Sequence, residues 1–449
     1  MRVFRSMAMG IAAMVFVAIG SSAARAAEGP RLDANERREV VEQLADALAE
    51  SYAYEDIGRK LAQELRARWA AKSYDAIGSA EELAAALNAD LHAVVPDKHL
   101  NVSLGGRPGP QRGPPRDSLA SNGAIRRAEI LAGNVGYLEV NGVPDLEFAR
   151  EAIAAAFAFL KNTDALILDL RGNGGGSPET CALYMSYLSE GAPYVLNTFR
   201  SRGNRDEETR TTDLGERAYG AKKPVFVLIS ARTFSGGEEL AYDIQSFKRG
   251  VIVGEVSGGG ANPGASVPLS HGFTVFLPTG YPVNPVTGTN WEGVGVKPDA
   301  AVAPGLALLE AHRLAVNRLQ AGTTDPDLRA ALQALGQSLE TGKQEAARAV
   351  PNYQAAQKIA GTYAPPAGRT GPRVTITLDA GYLVLRMPNR PASRLIPLSS
   401  MTYRLDGLPE DFTATFAPGT GAELHLWLHM GNWPPPPPLV RQAKVSPPG

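Results

Sequence analysis

Thr233-Phe234-Ser235-Gly236-Gly237-Glu238-Glu239 lies between an apolar run at 224–230, which reads as a buried strand, and Leu240-Ala241-Tyr242-Asp243-Ile244, which reads as a helix. A serine at a strand-to-helix turn can expose its hydroxyl as a nucleophile. The glycines after it let a carbonyl approach the N–H groups at the helix start, where an oxyanion is stabilised. The same letters match the S-x-x-E capping box, in which Ser235 does no more than cap a helix. These residues alone leave both readings open.

An activated serine needs a base, and the base needs an acid to orient it. The chain has six histidines. His92 and His312 fall inside helical stretches, His425 and His429 in a strand-rich C-terminal region, and His271 just before a strand. His99 stands apart in Pro96-Asp97-Lys98-His99-Leu100-Asn101-Val102, where helix gives way to strand, although a histidine there, taken alone, is more often structural. Glu292 lies in Asn290-Trp291-Glu292-Gly293-Val294-Gly295. It reads either as an exposed loop carboxylate or as one partly desolvated by Trp291 and hydrogen-bonded to an imidazole. The run Asp169-Leu170-Arg171-Gly172-Asn173-Gly174-Gly175-Gly176-Ser177 ends a strand in glycines whose N–H groups can face an anion. It lacks the Gly-Lys-Ser/Thr of a Walker loop and a convincing dinucleotide setting, which leaves an oxyanion hole or a tight turn. No His, Cys or carboxylate cluster shows metal-ligand spacing, and no metal or cofactor is expected.

The elements around these residues change character along the chain. Arg2 and Arg5, an apolar run at 7–19 and Ala24-Arg25-Ala26 read as a secretory signal over 1–26. The run is short for a membrane span, so a retained anchor is the lesser alternative. The mature chain is expected to be periplasmic or secreted, without stable membrane insertion after cleavage. The one cysteine, Cys181, cannot form an internal disulfide and reads as a core residue. A formal net charge of -1 gives no strong field toward nucleic acid. With 44% hydrophobic and 20% charged residues, the composition is that of a globular protein.

Residues 31–104 show helical apolar stripes (Val40, Val41, Leu44, Leu48; Leu61, Leu65; Leu83, Leu87, Leu91), with Asn35 as a cap for the first long helix. A Gly/Pro/Arg-rich loop at 105–118 follows. Residues 124–305 alternate short apolar strands with helices, which predicts an α/β domain with a mainly parallel sheet. Residues 306–350 read as a helical linker and 351–430 as a small antiparallel β domain with a hairpin turn at Asp379-Ala380-Gly381. Residues 431–449 read as a proline-rich tail acting as a stiff spacer.

Taken in order, Asp-Leu-Arg-Gly-Asn-Gly-Gly-Gly at 169–176, Thr-Phe-Ser-Gly-Gly-Glu-Glu at 233–239, Gly-Glu-Val-Ser-Gly-Gly-Gly-Ala at 254–261 and Trp-Glu-Gly-Val-Gly-Val at 291–296 resemble the C-terminal-processing and tricorn-type serine peptidases. The branch with modules like interphotoreceptor retinoid-binding protein is the most similar, over about residues 35–305. The resemblance implies a crotonase- or ClpP-like α/β core with an N-terminal helical subdomain and a C-terminal antiparallel β domain. It implies Ser235 as nucleophile, His99 as base, Glu292 as its orienting acid, and backbone N–H donors from Gly236 and from Gly175, with Gly174 as runner-up. The processing branch uses a lysine base, but Ser257-Gly258-Gly259-Gly260-Ala261 holds none where one would fall. The stretch between His99 and Asp169 is too short for a PDZ segment. The expected function is an exported serine peptidase acting on a peptide or protein. The alternatives are a non-catalytic hydrophobic-ligand or peptide-binding module and a small-molecule esterase.

Overall fold

The computed structural model describes residues 32–105, 122–348 and 358–442, apart from positions 367–368, 370, 380–381, 389, 399–400, 407, 410, 420–422 and 432–436. The segment 1–26 expected to be a signal, the arginine-rich loop from 106 on and most of the proline run lie outside these residues.

Three helices, α1 (Ala34–Ser51), α2 (Glu55–Ala70) and α3 (Ala80–Val94), lead into strand β1 (Asn101–Leu104). Their leucine and valine stripes bury against one another and against Val102, Phe273, Val275 and Leu277. The cap of α1 is Asp33, not Asn35. Asp33 accepts the N–H groups of Asn35 at 2.7 Å and Glu36 at 2.9 Å, while the Glu36 carboxylate accepts the Asp33 N–H at 2.8 Å. The reciprocal bond decides the cap: Glu36 stands three residues after Asp33, the spacing of a capping box.

The central segment runs β2 (Ile125–Leu131), β3 (Val135–Val140), α4 (Leu146–Leu160), β4 (Ala165–Asp169), α5 (Pro178–Tyr187), β5 (Val195–Ser201), β6 (Glu207–Arg210), β7 (Val225–Ile229), α6 (Gly236–Ser246), β8 (Val251–Gly254), β9 (Gly264–Pro268), β10 (Phe273–Pro278), β11 (Gly280–Val283) and β12 (Ala300–Ala301). Six of these strands form one sheet in the order β12-β8-β7-β4-β3-β2, parallel except for the edge strand β2. Every residue of β3, β4 and β7 is buried, as expected of parallel strands covered on both faces. Alternate residues feed two cores. Leu138, Leu166, Leu168, Val227 and Ile229 meet Ile153 and Phe157 of α4 and Leu240 and Ile244 of α6.

Tyr137, Ile167, Phe226 and Leu228 point the other way. They meet Ala307, Ala311 and Ala315 of α7 (Ala307–Gly322) and Leu332 of α8 (Pro326–Arg348). Residues 307–348 are therefore a second layer of the domain and more than a connector. Two small sheets, β1-β10-β9 and β11-β5-β6, stand beside the carboxyl ends of the parallel strands.

The C-terminal region is a closed antiparallel barrel of β13 (Gly361–Ala364), β14 (Val374–Asp379), β15 (Tyr382–Arg386), β16 (Ser393–Pro397), β17 (Thr402–Leu405), β18 (Phe412–Pro418), β19 (Leu424–Met430) and β20 (Leu439–Arg441). Tyr363, Leu383, Leu395, Tyr403, Phe416 and Leu426 fill its interior, as eight strands allow. Asp379 pairs with Tyr382 across the expected hairpin. The tail is not a spacer along its whole length, because Leu439–Arg441 returns as the strand that pairs with both β13 and β19. The barrel is tied to the core by Arg126, which donates to both Asp411 oxygens (2.5 and 2.6 Å), and by Arg232, which donates to the Pro391 carbonyl at 3.0 Å and to Ser393 Oγ.

Candidate active site

Open parallel sheets carry their sites beyond the carboxyl ends of the strands. Here the loops after β4 and β7 meet at that edge. Phe234 N–H donates to the Asn173 carbonyl (2.9 Å), Thr233 Oγ1 to the Leu170 carbonyl (2.8 Å) and Ser230 Oγ to the Arg171 carbonyl (2.7 Å). These bonds hold the 230–235 turn against the glycine loop. The turn ends at Ser235 with φ 53 and ψ -124, a conformation costly for a residue with a Cβ and typical of an exposed nucleophile at a strand-to-helix elbow. A capping-box arrangement with Glu238 is also present: the Glu238 carboxylate accepts the Ser235 N–H at 3.0 Å, while the Glu238 N–H goes to the Ser235 carbonyl at 2.8 Å.

The glycines are required by contact. A Cβ on Gly175 (φ +104) would lie 2.6 Å from Ser235 Cβ and 2.9 Å from Gly236 N. A Cβ on Gly237 would lie 2.7 Å from Asn173 Oδ1. Gly236 N–H has no acceptor among the described residues and lies at the cavity wall. Gly175 is less available as a donor than the sequence suggests, since its N–H is given to Asn173 Oδ1 at 2.9 Å. Gly174 makes only a 3.4 Å contact to the Asn141 carbonyl and lines the cavity.

His99 reaches this cavity from the other side. It follows α3 and precedes β1, whose pairing with β10 sets Asn101 opposite Phe276. The imidazole lies between Phe234 and Phe276, with ring centroids 4.6 and 5.7 Å away. Burial lowers its pKa below the usual histidine value, against the opposing charge of Asp97. Its Nδ1 is buried and has no hydrogen-bond partner. Glu292 Oε2 accepts the N–H groups of Ala261 (2.5 Å) and Asn262 (3.2 Å), while Oε1 is buried without a partner. Burial first, and the Asp97 charge second, push Glu292 up to about 7.

Donor atoms of Asp97, His99 and Glu292 all lie within 4.8 Å of one another, a cluster invisible in the sequence spacing that could in principle hold a metal ion. Asp97 is already saturated. It accepts from Tyr52 Oη–H (2.8 Å), Asn262 Nδ2–H (2.9 Å) and the N–H groups of His99 (3.0 Å) and Leu100 (3.4 Å). That pattern fits an acid that fixes the His99 backbone better than it fits a ligand.

Ser235, His99, Gly174 and Gly236 line one cavity of about 520 Å³, with Phe199, Phe276 and Trp291 among its apolar walls. Residues 134–302 match peptidase family S41, and residues 34–123 match the N-terminal domain of Peptidase_S41 in eukaryotic IRBP. The chain belongs to peptidase family S41. It is 27% identical over 182 residues to a carboxy-terminal-processing protease of Bartonella bacilliformis, covering 38% of this chain and 39% of that protein. It is 31% identical over 168 residues to the chloroplastic carboxyl-terminal-processing peptidase 2 of Arabidopsis thaliana, covering 37% and 31%. The chain thus spans 39% and 31% of these relatives' length. Among solved structures it is similar to the photosystem II D1 C-terminal processing protease, with TM-score 0.39, 15% identity and coverage of 61% of this chain and 95% of that one. A lipoprotein from Streptococcus agalactiae gives TM-score 0.42, 15% identity and coverage of 64% and 98%.

Two residues at the site carry no local signal of function beyond their place in a motif. Asp97 is visible only as the acid two positions before His99. Glu238 reads as a capping residue, yet its buried carboxylate also accepts Ser257 Oγ–H (2.5 Å) and the N–H groups of Gly259 (2.6 Å) and Gly260 (2.8 Å).

Proposed function

We propose that this S41 chain is an exported serine peptidase whose nucleophile is Ser235, with His99 as general base and Glu292 as the acid that orients it. His99 takes the Ser235 proton as Oγ attacks the scissile carbonyl. Glu292 stabilises the imidazolium, and the N–H groups of Gly236 and Gly174 receive the tetrahedral oxyanion. Protonated His99 then gives its proton to the leaving amine, and a water activated by the same imidazole resolves the acyl-enzyme. One observation carries the reading: His99 Nδ1 and Glu292 Oε1 are both buried without partners, in neighbouring side chains, beside the cavity that holds the strained Ser235. Buried polar atoms are rarely left unpaired. A small closure that joins these two would satisfy both and leave the other ring nitrogen for the serine.

The test is labelling of the purified protein with a fluorophosphonate, with the labelled peptide identified. Labelling at Ser235 that is lost in Ser235→Ala and strongly reduced in His99→Ala is the expected result; a folded protein that takes no label contradicts it. Export rests on the signal-like segment 1–26. Amino-terminal sequencing of the protein recovered from the periplasm or medium should begin near residue 27, and recovery of the full-length chain in the cytoplasm alone would refute it. Among the described residues no helix is long and apolar enough to cross a membrane.

A further inference from the structure

The cavity beside Ser235 is charged in one sense only. Among the described residues its ionisable lining is His99, Asp145 and Glu239, with no lysine or arginine. Asp145 is exposed at the rim. Glu239 is 3% exposed, lies in the first turn of α6 four residues after Ser235, and lines the same cavity. Its Oε1 accepts a single long bond from Asn197 Nδ2, at 3.3 Å, and its other oxygen takes no hydrogen bond from the described residues. One turn further, the fully buried Asp243 accepts from the same Asn197 amide (3.0 and 3.1 Å) and from Asn284 Nδ2 (3.1 Å). Two carboxyl groups therefore share one amide, and no cation among the described residues pairs with either.

Burying carboxylates without a counter-ion is costly, and such groups hold a proton instead. Burial and the neighbouring Asp243 raise Glu239 well above the usual carboxylate range, and burial raises Asp243 to about 7. An apolar substrate group pressed onto Glu239 would seal its free oxygen away from water with no partner. A cationic one would supply the missing charge and release the proton.

We propose that this cavity receives a substrate side chain with a cationic head, of the lysine or arginine kind, with Glu239 as its counter-ion, so that the bond cleaved adjoins a basic residue. The apolar walls of Phe199, Phe276 and Trp291 suit the methylene stem of such a side chain, and the volume of about 520 Å³ accommodates it. The inference rests on Ser235 being the nucleophile.

The test digests a proteome-derived peptide library with the full chain and maps the cuts by mass spectrometry. Cuts should adjoin lysine or arginine. In matched peptides kcat/KM should favour lysine over norleucine, and Glu239→Gln should lower that ratio roughly tenfold or more. Cuts flanked by apolar residues, or a ratio indifferent to Glu239→Gln, would overturn the inference. A second measurement needs neither the variant nor a peptide: n-butylguanidinium should slow fluorophosphonate labelling of Ser235 in the wild type where the neutral n-pentanol does not, and equal effects of the two refute the charge pairing. Labelling of Ser235 without a basic preference sinks this inference alone. A folded protein without labelling or cleavage sinks the peptidase reading, and the inference with it.

Discussion

The carboxylate of Glu238 joins the two halves of the site. It holds the Ser235 N–H and, through Gly259 and Gly260, the loop behind His99. A Cβ on Gly260 would lie 2.9 Å from His99 Cε1, so this backbone is the wall against which the imidazole rests. Glu238→Gln would turn an amide N–H₂ toward groups that are themselves donors. It should destabilise the protein by about 1–3 kcal/mol and slow Ser235 labelling at least about tenfold by displacing the nucleophile and base. Because the Glu238 charge also helps to raise Glu292, its loss should move the pH midpoint of labelling down from the wild-type position.

That midpoint belongs to Glu292 and His99. His99 must be neutral to accept a proton, and Glu292 must be ionised to stabilise the imidazolium, so reactivity is lost as pH falls. With Glu292 raised to about 7, the acid limb of the labelling rate should centre near pH 7. Glu292→Gln should lower the plateau roughly 10²–10⁴-fold and move the limb below the ordinary histidine value of 6.5, since burial lowers His99. A limb unmoved by this substitution would remove Glu292 from the mechanism.

At the scale of elements, the glycine loop and the serine turn act as one piece. Gly175→Ala would put a methyl carbon 2.6 Å from Ser235 Cβ at a φ of +104. It should cost about 1–3 kcal/mol in backbone strain and abolish labelling by tilting the turn. Circular dichroism alongside the labelling assay would show whether the fold survives the loss.

The parallel strands were legible because β3, β4 and β7 are buried on both faces and must be continuous apolar runs. The turn at Ser235 was legible for a similar reason: a strand, a small turn and a helix start are local events. The closeness of His99 to Glu292 was not. Nothing near either residue in the chain signals it, and only the resemblance to a known family brought them together. The direction of the Gly175 N–H was not legible, because it depends on the Asn173 side chain that accepts it. The first helix cap shifted from Asn35 to Asp33 because two candidate residues compete and a third, Glu36, arbitrates.

For the whole molecule, the buried pair on α6 links stability to pH. Glu239 and Asp243 have folded pKa values above their unfolded ones, so the folded state holds protons that the unfolded chain releases. The penalty is absent below the unfolded value of 3.8 for Asp243 and grows as pH rises toward about 7. Hydrogen-exchange protection of α6 should therefore decline over that window, and Asp243→Asn should flatten the decline whatever it does to protection at low pH. An unchanged slope would mean that the pair does not titrate on opening.

The barrel follows a different logic, because its last strand spans only Leu439–Arg441. Arg441 fastens it by donating to the carbonyls of Lys358 (2.9 Å) and Ala360 (2.6 Å). No local pattern signals this closure, since the strand follows a proline run and its partners lie some distance back in the chain. A chain trimmed after residue 438 would turn a sealed cylinder into an open ribbon, with β13 and β19 each offering a bare row of amides and carbonyls to the next molecule. Light scattering of such a truncation should show self-association beyond that of the full chain, so an affinity tag or a nick at this end would decide whether the molecules stay apart.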